Sequence, residues 1–229
     1  MSLENLFATV PAVTLPNGVT VPSFQVGQYF CSKGEDGLAT VSATTTPWVR
    51  INYHAAVAAC KAAGLNLITE LQALAIAYDV ANVHANWTGG TFGEGRLIQG
   101  LRKWTVNAAQ AGDYAPADED ECRWFILSNG ERICDVAGNL FTWVFDDVQG
   151  DARGLIAKPF AADSASIATA PYPSMERGMG WRPAAGRDWS GGALIRGGSW
   201  GGGDYAGAFN LDYDWPDGGG GAVGFRCTK

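Results

Sequence analysis

Between Arg196 and Arg226 the chain contains no Glu, Gln, Lys, Met or His, and its last forty residues hold 13 of its 31 glycines. A stretch this biased cannot supply an ordinary packed core. Glycine brings no side chain to bury and loses the most backbone freedom on ordering. Apolar anchors remain at the ends, Ala193-Leu194-Ile195 with Trp200 on one side and Val223-Gly224-Phe225 on the other. Each end is therefore expected to pair as a strand while the middle projects as loops. Composition alone would suit a flexible linker. The embedded rings oppose that reading, because Tyr205, Tyr213 and Trp215 stand among Asp204, Asp212, Asp214 and Asp217. Large amphipathic rings mixed with small adaptable groups are the chemistry of a contact surface.

The rest of the chain can supply the core that this segment lacks. With 229 residues, 47% apolar content and nine tryptophans, residues 1–229 are expected to form a single domain. A formal charge of -7 and a pI near 4.8 leave no positive field for phosphate, which disfavours a nucleic-acid partner. The N-terminal stretch Met1 to Phe7 has no basic start and no long apolar run, so neither a signal peptide nor membrane insertion is expected. Five cysteines, Cys31, Cys60, Cys122, Cys134 and Cys227, form no CxxC pair that would suggest zinc or dithiol chemistry. They read as buried free thiols, with a Cys122–Cys134 bridge open only in an oxidising compartment.

Local patterns place the elements. Alternation from Val21 to Phe30 predicts an early strand. An alanine-rich helix is predicted from Tyr53 to Ala63, capped by Asn52 and ended by Gly64. A second begins at Thr69, where Thr69 and Gln72 stand in capping-box positions and Leu71, Leu74, Ala75 and Tyr78 recur on one face. Residues Trp87 to Gly100 read as a glycine-punctuated loop with no phosphate-loop Gly-Lys-Ser/Thr. A further helix is expected around Leu101 to Ala111. The acidic run Asp118-Glu119-Asp120-Glu121 could hold calcium, although such a run is more commonly a solvated loop. Asn129-Gly130, between Trp124–Leu127 and Glu131–Cys134, signals a hairpin. Gly138 to Asp147 is another apolar block, and a long irregular region follows it to about Gly192. Helices first and strands later argue for an α+β chain.

Several blocks, in order, resemble the formylglycine-generating-enzyme type of C-type lectin domain. They are Leu67-Ile68-Thr69-Glu70, Gly138-Asn139-Leu140-Phe141-Thr142-Trp143, Arg196-Gly197-Gly198-Ser199-Trp200 and the closing Gly224-Phe225-Arg226. The resemblance implies a C-type lectin fold with two helices, short antiparallel sheets and long irregular loops. The oxidase of that family binds copper through two cysteines after the Arg-Gly-Gly-Ser block, as a soft cuprous ion requires, but Gly202 and Gly207 stand at the matching positions here. Iron-dependent sulfoxide synthases on the fold use histidine ligands, and His54 and His84 lie in no such pattern. Calcium-binding lectin motifs are echoed only by Trp215-Pro216-Asp217, and Thr142 replaces a glutamate of the related block. No catalytic residue, cofactor or metal is therefore expected. The alternatives are an oxidase or other enzyme on this fold, or a structural virion or surface subunit.

The bracket Gly-Gly-Ser-Trp to Gly-Phe-Arg most resembles the variable proteins of diversity-generating retroelements, which are mutated at adenines between two such blocks. In that family AAC codons become other NNC codons, which encode Gly, Asp and Tyr but not Glu, Gln, Lys, Met or Trp. The resemblance implies that residues 193–229 form a variable ligand-binding segment. Its contact positions would be Gly201, Gly202, Gly203, Asp204, Tyr205, Asp212, Tyr213, Asp214, Gly218, Gly219, Gly220 and Gly221, with Trp215 as a fixed contact. The partner would be a protein or surface ligand. The protein would sit on a virion, such as a phage tail, or on a cell surface through another component, and otherwise in the cytoplasm.

Overall fold

The computed structural model describes residues 6–229. The first five residues of the stretch read for targeting signals lie outside the described residues. Along the chain run β1 (Phe7–Val10), β2 (Val13–Thr14), β3 (Thr20–Val21), β4 (Phe24–Gly27), β5 (Cys31–Lys33) and β6 (Ala39–Val41). Then come α1 (Tyr53–Ala62), β7 (Asn66–Leu67) and α2 (Glu70–Ala81). The second half adds β8 (Trp124–Ile126), β9 (Arg132–Cys134), β10 (Phe141–Val144) and the one-turn α3 (Ala165–Ala168). It closes with β11 (Ala193–Arg196), β12 (Leu211–Asp214), β13 (Val223–Phe225) and β14 (Cys227–Thr228).

Local chemistry explains both long helices. Asn52 Oδ1 accepts the Ala55 N–H at 2.8 Å and starts α1. At α2, Thr69 Oγ1 accepts from Gln72 N–H at 3.3 Å while Gln72 Oε1 accepts from Thr69 N–H at 3.0 Å. This reciprocal pair uses up two donors that a helix start otherwise leaves orphaned. The Asn129-Gly130 hairpin forms as expected, with β8 and β9 paired antiparallel.

One four-stranded sheet has the order β1-β4-β14-β7 and another the order β12-β11-β10-β13. All ladders are antiparallel except β10 with β13, which runs parallel because β13 returns beside β10 after a long excursion. The chain passes from one sheet to the other between β13 and β14, at Arg226. The main core packs Leu74, Ala77 and Val80 of α2 with Val26, Phe125, Ile133, Val144 and Phe209. A second cluster joins Tyr53, Ala56 and Cys60 of α1 to Trp143, Phe225 and Cys227. Phe209 and Phe225 both belong to the glycine-rich segment and are fully buried. Each such ring contributes roughly 1.5–3 kcal/mol, so the segment is tied to the core rather than tethered loosely.

Four sequence expectations are corrected. The strand expected over Val21 to Phe30 is broken, with β3 and β4 separated by Pro22, which has no N–H to give a ladder. The helix expected over Leu101 to Ala111 is absent and the stretch is irregular. Its backbone groups go to tertiary partners instead: Glu121 Oε1 accepts from the N–H of Arg102 and Lys103 at 2.6 and 2.7 Å, and Gln110 exchanges hydrogen bonds with the Asn139 side chain. Propensity yields to such partners because every buried backbone group must be paired. The middle of the glycine-rich segment is not all loop, since Leu211–Asp214 forms β12. Finally, Cys122 is exposed rather than buried, while the other four cysteines are buried and all five are free thiols, as expected.

The acidic run is organised by one cation of the protein and by backbone donors. Lys103 Nζ pairs with Asp118 at 2.8 Å and with Asp120 at 2.9 Å, while Glu121 is buried on the backbone donors just named. Among the described residues no helix is long and apolar enough to cross a membrane.

Candidate ligand-contacting surface

Two buried arginines bracket the glycine-rich segment. Arg196, at the end of β11, makes a two-pronged ion pair with Glu70 at the start of α2, one contact being 2.6 Å. It also donates to the carbonyls of Phe209 and Asn210, both at 3.3 Å, and of Ser166 at 3.1 Å. Arg226 donates to the carbonyls of Gly27 and Asp135 at 3.0 Å each and to that of Cys134, and its guanidinium lies 4.3 Å from the Phe30 ring centre. A planar guanidinium offers five donors in a rigid fork and so can satisfy more fixed, spread-out acceptors at once than the three donors on lysine's single nitrogen. The bracket arginines thus fix where the segment leaves the scaffold and where it rejoins it.

Between them, none of the thirteen predicted contact positions is buried. Tyr205 and Trp215 are 57% and 60% exposed. Asp204, at the short turn Gly203–Tyr205, pairs with Arg96 at 2.7 Å across an exposed surface. Asp212, Tyr213 and Asp214 are half-buried on β12, the edge strand beside β11. Asp212 and Asp214 each accept the N–H of the next residue, at 2.9 and 2.8 Å. Burial pushes the Asp212 carboxyl above the usual carboxylate range, with Asp214 adding to the effect and Arg187 opposing it.

The structure does not gather these positions into one patch. Side chains alternate along a strand, so Tyr213, opposite Leu194, lies on one face of β12 and Asp212, opposite Ile195, on the other. The first patch holds Tyr205, Tyr213 and the run Gly201–Gly203. The second holds Asp212, Asp214 and the run Gly218–Gly221, backed by residues 50–52: Arg50 N–H donates to Gly220 O at 3.0 Å and Tyr53 N–H to Pro216 O at 3.1 Å. Trp215 extends the first patch, its ring centre 6.0 Å from that of Tyr213.

The glycine positions differ in the room they offer. A side chain at Gly220 would find nothing nearer than 3.8 Å, and at Gly221 nothing nearer than the Arg50 guanidinium at 3.7 Å. At Gly219 it would press on backbone atoms of Arg50, Ile51 and Asn52 at 3.2–3.3 Å. Gly202 and Gly218 are similarly close to the carbonyls of Ser199 and Trp215, at 3.2 and 3.1 Å. Gly203 has open space but a φ of +54°, which among other residues asparagine and aspartate tolerate best. Gly201 lies under the Trp104 ring, 2.6 Å from where a Cβ would stand.

Trp104, Trp181 and Trp189 were not singled out from the sequence, and they complete the first patch. Trp104 is 68% exposed, holds a left-handed φ of 60° and sets its ring edge-on to Trp200, centres 4.7 Å apart. A bulky residue in that region is strained, and strain of this kind clusters at functional sites. Trp181 lies 6.5 Å from Tyr205 and 6.1 Å from Trp189, and Trp189 stacks on Tyr213 at 4.7 Å. With Trp215, five rings form a continuous array. A groove of about 390 Å³ lined by Trp181, Pro183 and Arg187 opens at its Trp181 end. Trp181 and Trp189 lie in the irregular region before Gly192, where no periodicity marks them; the only signal was the high tryptophan count.

No family model matches the chain, and no curated protein matches it by sequence. Solved structures do match. Treponema denticola variable protein 1 superposes with a TM-score of 0.55 at 16% identity, over 97% of this chain and 94% of that one. PvdO from Pseudomonas aeruginosa gives 0.49 at 14%, over 97% and 93%. The Major Tropism Determinant M1 variant gives 0.48 at 14%, over 97% of this chain and 54% of that one. Of these three, the first exceeds a TM-score of 0.5. The chain is an α+β protein with the C-type lectin fold, and a variable protein is among the structures that share it.

Proposed function

We propose that this C-type lectin-fold chain is a non-enzymatic ligand-binding protein whose segment 193–229 is diversified by a retroelement. The observation that carries the reading is the split within one short stretch: buried arginines and rings lock the segment, while the twelve expected contact positions that carry NNC-permitted residues, and Trp215, all reach solvent. Substitutions at such sites commonly change stability by only about 0.5 kcal/mol, whereas a buried aromatic anchor in an interface can be worth about 2 kcal/mol or more. Binding can therefore vary while folding persists. Fixed tryptophans 104, 181 and 215 would supply apolar contact area beside the exchangeable positions, with buried Trp189 supporting Tyr213 from beneath, and Asp204, Asp212 and Asp214 favour a basic or hydrogen-bond-donating partner. Placement on a virion or cell surface through another component belongs to the same proposal.

The test is a library with NNC codons at 204, 205, 212, 214, 220 and 221, displayed and sorted first for protease resistance and then for binding to an arbitrary folded protein. Most members should remain folded, and specific binders should emerge. A library that unfolds as often as one randomised at buried positions would sink the reading. Gene neighbourhood supplies a second check, because a reverse transcriptase and an adenine-rich near-copy of the final coding segment must lie close by.

A further inference from the structure

Three thiols meet where the glycine-rich segment rejoins the scaffold. Cys227, the first residue of β14, follows Arg226 directly; its Sγ lies 2.9 Å from that of Cys31 in β5 and 3.1 Å from that of Cys60 in α1. All three residues are fully buried. The spacing does not suit a metal. With metal–sulfur bonds of about 2.3 Å, three thiolates around one ion stand about 4 Å apart. The sulfurs here have closed instead toward the roughly 2.05 Å of a covalent S–S bond. Hydrogen bonds from Cys31 and Cys60 favour the thiolate at Cys227 and draw it down to about 5, while burial and that same contact push the two neighbours up. Those contacts exist only once β14 is docked, so they hold the thiols together in the closed cluster and do not activate Cys227 toward an external oxidant.

We propose that Cys227 is the hub of an internal disulfide, bonding to either Cys31 or Cys60, and that this bond clamps the C-terminal end of the segment to the scaffold. The oxidant is a small-molecule disulfide such as oxidised glutathione. The Cys227 thiolate attacks one of its sulfurs, forms a mixed disulfide and releases one small thiol. Cys31, once deprotonated, attacks Cys227 Sγ and expels the second. Two protein thiols thereby lose two protons and two electrons, one S–S bond forms, and the oxidant leaves as two thiols. Cys60 can then attack Cys227 Sγ and release Cys31, an exchange with no net oxidation. Because the sulfurs are buried, the first step takes place before β14 has docked, during folding or when the terminal strand frays. Cys31 and Cys227 are 196 residues apart, so the bond closes almost the whole chain into one loop and strongly restricts the unfolded ensemble.

The test is to refold the full chain from denaturant with reduced and oxidised glutathione, and separately with dithiothreitol, and then to compare intact masses and unreduced tryptic maps. Trypsin leaves each of the five cysteines on a different peptide, so the partners are unambiguous. The oxidised protein should lose about 2 Da, yield a Cys227 peptide joined to that of Cys31 or Cys60, and melt about 10 °C above the reduced protein. Cys31→Ala and Cys60→Ala should each still cross-link through the remaining partner, and Cys227→Ala should not cross-link. Alkylation of all three thiols after oxidative refolding would overturn the proposal. So would a Cys31–Cys60 link in the unsubstituted chain, or one tightly bound metal ion per molecule. If an alanine variant fails to fold, the map of the unsubstituted chain still decides.

Discussion

Arg196 and Tyr205 stand nine positions apart in one glycine-rich stretch, yet one is sealed and the other open. Arg196 is buried on Glu70 and three carbonyls, and Arg226 closes the far end on three more. Tyr205 and Trp215 stand out in solvent. The difference teaches that the segment is a frame and a face interleaved. The frame residues are those whose loss would leave a charge or a cavity inside the molecule. Most face residues touch solvent, one another or exposed neighbours such as Arg96, so replacing them leaves no buried charge unpaired. Gly201 and Gly219, pressed by Trp104 and by residues 50–52, mark the boundary.

The largest effect should come from breaking the frame at its ion pair. Glu70→Gln keeps the shape but strands the Arg196 guanidinium in a buried site, and should cost about 3–5 kcal/mol in denaturant unfolding. A loss below about 1 kcal/mol would show that the carbonyl contacts alone hold Arg196. Next comes Asp146, buried beside Glu70, its carboxyl pushed up to about 6 chiefly by desolvation and then by the Glu70 charge. The folded value lies above the unfolded one, so folding favours the protonated form. That contribution is complete below about pH 4 and lost as pH rises through about 6, worth roughly 3 kcal/mol across the interval. Asp146→Asn should flatten this part of the stability profile; an unchanged slope would refute it.

Smaller effects sharpen the line between frame and face among the glycines themselves. Gly219→Val must push on the backbone of residues 50–52 and should cost about 1–3 kcal/mol, whereas Gly221→Val should stay within about 0.5 kcal/mol. Equal melting temperatures for the two variants would erase the distinction. The smallest stability effect, within about 0.5 kcal/mol, is expected for Tyr205→Ala. In a binder drawn from the NNC library with Tyr205 retained, the same change should weaken affinity at least tenfold, as measured by titration.

Much of this arrangement was legible in the residues. Asn52, Thr69 with Gln72, and Asn129-Gly130 act on backbone within a few positions of themselves, so their elements could be read locally. The bracket motifs and the bias between them marked the segment, but not that residues 206–211 in its middle are buried. Other features were hidden. The stretch Leu101 to Ala111 has helical composition, but Glu121 and Asn139 claim its backbone from a distance. Nothing near Trp181 or Trp189 announces that they will meet Tyr205 and Tyr213, and nothing near Cys227 announces Cys31.

By itself, then, the sequence determined where the capped helices and the Asn-Gly hairpin start and which segment is poor in core-forming side chains, because capping, turn chemistry and side-chain inventory act over short range. Tertiary structure alone decided which glycines have room for a side chain, that β12 divides the predicted positions between two faces, and that three cysteines share one site. Those outcomes depend on what arrives from elsewhere in the chain to press against a residue, and close packing lets such neighbours overrule a local preference worth about 1 kcal/mol or less.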